Sequence, residues 1–130
     1  MKRTVRGLTL IEQIAAIALA GAASAVAVPA LVDLQADAEA ATLRSLAQAA
    51  TSAMVLNQAG CQVTAQALVP GKCTPVRHCG DVAELLLAGL PPGYQVPEAP
   101  LGAVGVGAAC RLVRDSNGAE AAFIGIAAGT

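Results

Sequence analysis

The sequence begins MKRTVRG (residues 1–7) and continues LTLIEQIAAIALAGAASAVAVPALV (residues 8–32). The first part carries three basic side chains, whereas the second carries Glu12 as its only charge over 25 residues. An α-helix of that length is roughly 37 Å long, and the hydrocarbon core of a bilayer is about 30 Å thick. The stretch therefore predicts a membrane-spanning helix whose basic end stays on the cytoplasmic side.

Glu12 is the first functional candidate, because an acid near the start of an apolar helix is costly in lipid. Ionisable residues in such helices usually face a protein partner rather than hydrocarbon. The competing interpretation is an acid that lies near the headgroups and suits the N-terminal end of the helix dipole.

The order of these features resembles the processing and assembly segment of type IV pilins and of the pseudopilins of type II secretion. In that family a short basic leader ends in Gly, a Thr-Leu-Ile-Glu block follows, and an apolar helix continues to a Pro. Here the matching residues are Gly7, Thr9-Leu10-Ile11-Glu12 and Pro29. Leu8 stands where the family most often has Phe, which makes methylation a weaker expectation than cleavage.

The resemblance implies a role for each matching residue. A membrane-bound prepilin peptidase and methyltransferase would cut between Gly7 and Leu8 and methylate the new amino group of Leu8. Glu12 would meet the Leu8 ammonium of a neighbouring subunit during assembly. Each of these charges costs several kcal/mol when it is buried without a partner, so the pairing would fix the subunit register.

Two other interpretations of the N-terminal segment account for fewer of its features. A secretory signal peptide could be cut near Ala20–Ala25, but the apolar run continues past that point and Glu12 lies where a signal peptide is purely apolar. An unprocessed single-pass anchor would explain the length and the basic residues. It would leave Gly7 and Glu12 without a role.

Residues 33–58 are predicted to continue the same helix as an amphipathic half. A polar stripe is expected at Asp33, Asp37, Arg44 and Gln48, with leucines on the other faces. Pro29 should kink the helix or melt it locally. Asn57-Gln58-Ala59-Gly60 supplies a predicted stop.

Two later stretches resemble the mannose-sensitive haemagglutinin pilins and related minor pilins, although less closely than the N-terminal motif does. They are Pro29–Ala41 and the segment from Cys79 to Tyr94, which includes Gly89-Leu90-Pro91-Pro92-Gly93.

Residues 59–130 are predicted to form a small globular domain. Within it we expect a helix over Val82–Ala88 with a capping box from Asp81 to Glu84, a strand over Tyr94–Val96, and a hairpin. The hairpin strands are Ala109–Arg114 and Ala119–Ile126, joined by Asp115-Ser116-Asn117-Gly118. The fold class is thus α+β, and the resemblance implies a type IV pilin fold in which a long N-terminal helix packs on a small antiparallel sheet.

Four cysteines, Cys61, Cys73, Cys79 and Cys110, all fall in the part predicted to lie outside the cytoplasm. Disulfides are favoured there, and a domain with one Tyr, one Phe and no Trp benefits from them. Three pairings are possible. We favour Cys61 with Cys73 and Cys79 with Cys110, and Cys73 with Cys79 plus Cys61 with Cys110 stays open. A metal site with His78 lacks closely spaced ligand pairs.

Composition favours a building block over an enzyme. The sequence contains no recognisable catalytic motif that combines a nucleophile with a base and an acid, and it contains no cofactor-binding motif. Without residues 1–7 the chain keeps five basic and nine acidic residues, a net charge of −4, so nothing points to nucleic-acid binding.

The resemblance implies a pilus subunit for adhesion or motility, whose partners are copies of itself, other pilins and the inner-membrane assembly platform. Before assembly it would sit in the bacterial inner membrane with a periplasmic C-terminal domain. The alternative is a pseudopilin of a type II secretion system.

Overall fold

The computed structural model describes residues 10–130, apart from the side chains of residues 23, 24 and 26–30. Gly7 and Leu8 therefore lie outside the described residues. The elements are α1 (Leu10–Val63), a 3-10 turn (Cys79–Asp81), α2 (Val82–Leu85), β1 (Tyr94–Gln95), β2 (Gly107–Arg114) and β3 (Glu120–Ile126). A long N-terminal helix and a small antiparallel three-stranded sheet confirm the α+β class.

The chain divides into two compact units, one up to Glu39 and one from Ala40 onwards. The N-terminal unit holds the first part of α1. The C-terminal unit holds the rest of α1, α2 and the sheet, and it contains the hydrophobic core.

One face of α1 provides a wall of this core. Leu43, Ala47, Ala50 and Met54 are buried and follow one another at intervals of three or four residues, which places them on a single side of the helix. They join a cluster formed by the sheet and by the segment before α2. Its other buried members are Val76, Cys79, Val82, Cys110, Leu112 and Phe123.

The predicted polar stripe of α1 is exposed at Asp33, Asp37, Arg44 and Gln48. The helix itself ends later than predicted, at Val63 and not at 58. Gly60 is not a stop, because the helix continues through it. Its role is to make room for Lys72, whose carbonyl oxygen would overlap a Cβ at position 60. The true end is made by Ala65 and Gln66, which both have positive φ, and the Gln66 N–H donates to the Cys61 carbonyl at 2.7 Å.

The sheet has the strand order β1-β2-β3, and both pairings are antiparallel. Its predicted hairpin is confirmed, with Cys110 opposite Phe123 and both side chains in the core. β2 begins at Gly107, earlier than predicted. In the turn, Gly118 has a φ of +68°, and the Asn117 side chain accepts the Ala119 N–H at 3.0 Å.

The second helix is shorter than predicted, and its predicted capping box is wrong. α2 ends at Leu85, and Asp81 makes no side-chain hydrogen bond as its N-cap. The Asp81 carboxylate instead accepts the N–H groups of Arg77 at 2.6 Å and His78 at 2.9 Å, so it caps the preceding 3-10 turn. The strand predicted over Tyr94–Val96 covers Tyr94–Gln95 only.

Two disulfides, Cys61–Cys73 and Cys79–Cys110, form the pairing favoured from the sequence. Cys61–Cys73 joins the end of α1 to the following loop, and Cys79–Cys110 joins the 3-10 turn to β2. Every cysteine is thereby oxidised.

The backbone of Pro29 lies within α1, which continues through it to Val63. The local melting that the sequence allowed at this position does not occur, because a proline removes only one donor and the neighbouring helical bonds remain. Within the described part of the chain, no helix combines the length and apolar character needed to cross a membrane. The segment predicted to do so, 8–32, includes residues and side chains outside that part.

Candidate assembly surfaces

The N-terminal unit presents an apolar helix whose described side chains are exposed. Every described side chain from Leu10 to Ala38 is exposed. The large aliphatic ones are distributed around the axis, since Leu10 and Leu19 are nine residues apart and project on opposite sides at 3.6 residues per turn. They are Leu10, Ile11, Ile14, Ile17, Leu19, Leu31, Val32 and Leu34. A helix that is apolar on all sides is normally buried in a large assembly or in lipid.

Glu12 lies in the first turn of the described helix, among Leu10, Ile11 and Ile14. It is exposed, as are its three aliphatic neighbours. Its position therefore joins one negative charge to an otherwise apolar surface, and covering that surface would bury the charge with it. A buried carboxylate requires a cation or hydrogen-bond donors from the covering partner.

The C-terminal unit carries an open groove of about 490 Å³ between α1 and α2. Leu56 and Leu87 flank it and are largely exposed, and Lys72 and Glu84 provide one charge of each sign. Small side chains from α1 form its floor, namely Ala49, Ser52 and Ala53. This groove is a second apolar surface that an adjacent protein can cover.

The outer side of the sheet carries an exposed ion pair together with the exposed side chain of Ile124. Arg111 on β2 and Glu120 on β3 form an exposed ion pair with 3.0 Å between nitrogen and oxygen. The Ile124 N–H of β3 donates to the Thr51 hydroxyl of α1 at 3.1 Å, so α1 covers part of the strand's free edge. Covered edges are protected against uncontrolled pairing with other strands.

The described residues offer little for metal or acid–base chemistry. No group of three or more His, Cys, Asp or Glu side chains in this part of the chain could hold a metal ion. His78 is exposed and lies 4.0 Å from the Asp81 carboxylate. The four cysteine sulfurs are held in disulfides and are not available as thiolates.

Sequence reasoning missed how the loop after α1 is fixed. The Asn57 side chain donates to the Thr74 carbonyl at 2.8 Å and accepts the Thr74 N–H at 2.9 Å, so one amide pairs with the loop as a strand would. The C-terminal residues also dock on this loop, with Val76 and Ala128 forming a β-bridge. In the sequence, this packing was indicated only by Gly60 and Gly129, and both glycines were equally compatible with ordinary turns.

No family model, no curated protein and no solved structure matches this chain.

Proposed function

We propose that this chain is a structural subunit of a type IV pilus, similar to the mannose-sensitive haemagglutinin pilins. It would be made as a prepilin, cleaved after Gly7, methylated at Leu8 and polymerised into a surface fibre. The observation that carries the proposal is the stretch of α1 from Leu10 to Val32, which exposes aliphatic side chains on opposite sides and holds Glu12 as its one acid.

Burial of the exposed aliphatic side chains of this helix would be energetically favourable. Burying one Leu, Ile or Val side chain contributes about 1.5–3 kcal/mol, and eight such side chains lie exposed between Leu10 and Leu34. Lipid would provide the cover before assembly, and the helices of neighbouring subunits would provide it in the fibre. Lipid is as apolar as leucine, so helix association in a membrane depends on close packing and on polar contacts.

Glu12 and the Leu8 ammonium of a neighbouring subunit would provide such a polar contact. Each group alone is costly in an apolar bundle, and together they neutralise each other. The partners of this chain would accordingly be its own copies and other pilins. The processing enzyme and the inner-membrane assembly platform would act on it earlier.

The C-terminal unit suits the outside of such a fibre. It has a core of its own, two disulfides and an ionic outer sheet surface. Disulfides persist in the periplasm and outside the cell, where the domain would be found at successive stages.

Replacing Glu12 by Val tests the proposal. The change removes an acid and should favour membrane insertion by a few kcal/mol. In a fibre, the same change leaves the Leu8 ammonium of a neighbour unpaired, which typically costs about 3–5 kcal/mol. We expect the variant to be inserted and cleaved normally yet depleted from sheared surface fibres, measured by quantitative blotting against the membrane pool.

Gln13→Val is the matched control, because it removes the adjacent polar side chain without removing a charge; it should enter fibres as the parent chain does. Parent-like incorporation of Glu12→Val would contradict the role of Glu12 in assembly. A parent chain that is absent from sheared fibres and whose gene lies beside secretion-channel genes would favour a pseudopilin instead.

A further inference from the structure

The two disulfides are equally buried but lie in different surroundings. Cys79 and Cys110 are each 2% exposed and belong to the main core beside Val82, Leu112 and Phe123. Cys61 and Cys73 are 0% and 3% exposed, yet their only buried companion in the cluster is Ala128. The cover of Cys61–Cys73 therefore depends on the end of the chain.

This end, residues 127–130, forms a strap over the loop that follows α1. Ala128 and Val76 exchange two backbone hydrogen bonds of 2.8 and 3.1 Å. The Gly129 N–H donates to the Gln66 side-chain oxygen at 2.8 Å, and the Thr130 N–H donates to the Gln66 carbonyl at 3.0 Å. Four hydrogen bonds thus attach the strap to Val76 and Gln66.

Gly129 passes directly over the disulfide. A Cβ built on it would lie 3.5 Å from the Cys73 sulfur, 2.7 Å from a Leu68 methyl and 3.1 Å from the Pro75 Cα. Its φ of +76° is also one that residues with a side chain rarely adopt. Only glycine fits here, so the path of the strap is specified by both conformation and space.

The receiving side of the strap is held in an uncommon conformation. Ala65 and Gln66 have φ values of 52° and 67°, although neither is a glycine. Such residues typically cost about 1–3 kcal/mol each and persist where surrounding contacts fix them. The contacts that Gln66 makes with Gly129 and Thr130 are of that kind, and releasing the strap would remove them.

We propose that the strap is a removable cover that shields the Cys61–Cys73 disulfide from reductants, whereas Cys79–Cys110 is shielded by the core itself. A short segment that is held by a few hydrogen bonds opens locally at lower free energy than a packed core does. Opening the strap exposes Cys61–Cys73 to attack by a thiolate while the rest of the C-terminal unit stays folded. With a dithiol, the first attack forms a mixed disulfide and releases one cysteine thiolate. The second thiol of the reagent then attacks the mixed disulfide, which releases the other cysteine and leaves the reagent as its cyclic disulfide.

The test is a time course of reduction of the full-length chain in mild detergent. Samples are exposed to dithiothreitol, quenched with iodoacetamide and mapped by mass spectrometry, so that each disulfide has its own rate. In the parent chain we expect Cys61 and Cys73 to be alkylated before Cys79 and Cys110. Gly129→Ala should accelerate the first pair about tenfold or more, because it opposes the strap's conformation, and leave the second pair unchanged.

Gly118→Ala is the matched control. It places a side chain at a similar φ of +68°, but no atom lies within 4 Å of the new Cβ, and the hairpin turn is remote in sequence from Cys61 and Cys73. It should leave the reduction rate of Cys61–Cys73 at the parent value. Gln66→Ala removes the side-chain acceptor of the strap without adding bulk, and it should accelerate the same pair if Gly129→Ala does not fold.

Equal reduction rates for the two disulfides in the parent chain would overturn the proposal. It would also be overturned if Gly129→Ala or Gln66→Ala, once folded, left Cys61–Cys73 at its parent rate or accelerated both pairs equally. These outcomes are independent of fibre formation, so they test the strap whether or not the chain is a pilin.

Discussion

At the scale of single residues, Asn57 and Gly60 have roles in packing that replace the helix stop expected of them. Asn57 uses its amide to pair with Thr74, and Gly60 makes room for the backbone of Lys72. Both residues bring the same loop against the last turns of α1. The sequence therefore located the end of α1 approximately, but it did not show that Asn57 and Gly60 pack the following loop against the helix.

Gly60→Ala tests this packing role. An alanine normally stabilises a helix interior by about 1 kcal/mol relative to glycine. At position 60 its Cβ would overlap the Lys72 carbonyl, and relieving such an overlap typically costs about 1–3 kcal/mol. We expect a net loss of stability in urea unfolding of the C-terminal unit.

Gly21→Ala is the control for this substitution, since Gly21 is also helical and has no atom within 4 Å of a built Cβ. It lies in the other unit and should leave the unfolding midpoint of residues 40–130 unchanged. A gain in stability from Gly60→Ala would mean that Gly60 acts only as a flexible residue.

At the scale of elements, the C-terminal part of α1 is defined by one buried face. Met54 is fully buried, whereas the next residue, Val55, is half exposed. The buried positions line up with the core cluster, so the helix contributes packing to the sheet on one side only. This face, and not helix propensity, is what supports the last turns of α1.

A pair of neighbouring truncations checks the orientation of the helix. Met54→Ala leaves a cavity in the main core and should lower the free energy of unfolding by about 2–5 kcal/mol. Val55→Ala removes a surface side chain and should change it by about 0.5 kcal/mol or less. Both values come from chemical denaturation of the oxidised protein, and similar costs for the two variants would contradict the assigned face.

Elements with local signals were predictable from the sequence, and those built by distant contacts were not. The hairpin followed from Asn117-Gly118 between two apolar segments, and the structure confirms it. The end of α1 did not follow, because it is set by residues that return from positions 72 and 74. The strap was not predictable, since Ala127-Ala128-Gly129-Thr130 has neither periodicity nor charge and is fixed by hydrogen bonds to Gln66, Val76 and Gly105, which are distant in the sequence.

At the scale of the whole molecule, the two units have opposite characters. The described side chains of the N-terminal unit are almost all exposed, and many are aliphatic, whereas the C-terminal unit encloses a core and both disulfides. A compact unit with its own core is expected to fold alone. The apolar helix, in contrast, exposes aliphatic side chains, which lipid or other subunits would cover under the proposed function.

We therefore predict that residues 40–130, exported to the periplasm without the preceding segment, form a folded monomer with both disulfides. The physical reason is that the face of α1 needed for the core begins at Leu43, so the cut removes no residue that the structure describes as buried. Unfolding in urea should be a single cooperative transition, as is usual for small domains, and size-exclusion chromatography should give a monomer.

The chain from Leu8 to Thr130, expressed in parallel, should partition into detergent micelles or membranes. Two results would contradict this prediction. If the 40–130 fragment lacks a cooperative transition, the C-terminal unit does not fold alone; if the longer chain stays monomeric in detergent-free buffer, the apolar helix does not require burial against lipid or another protein.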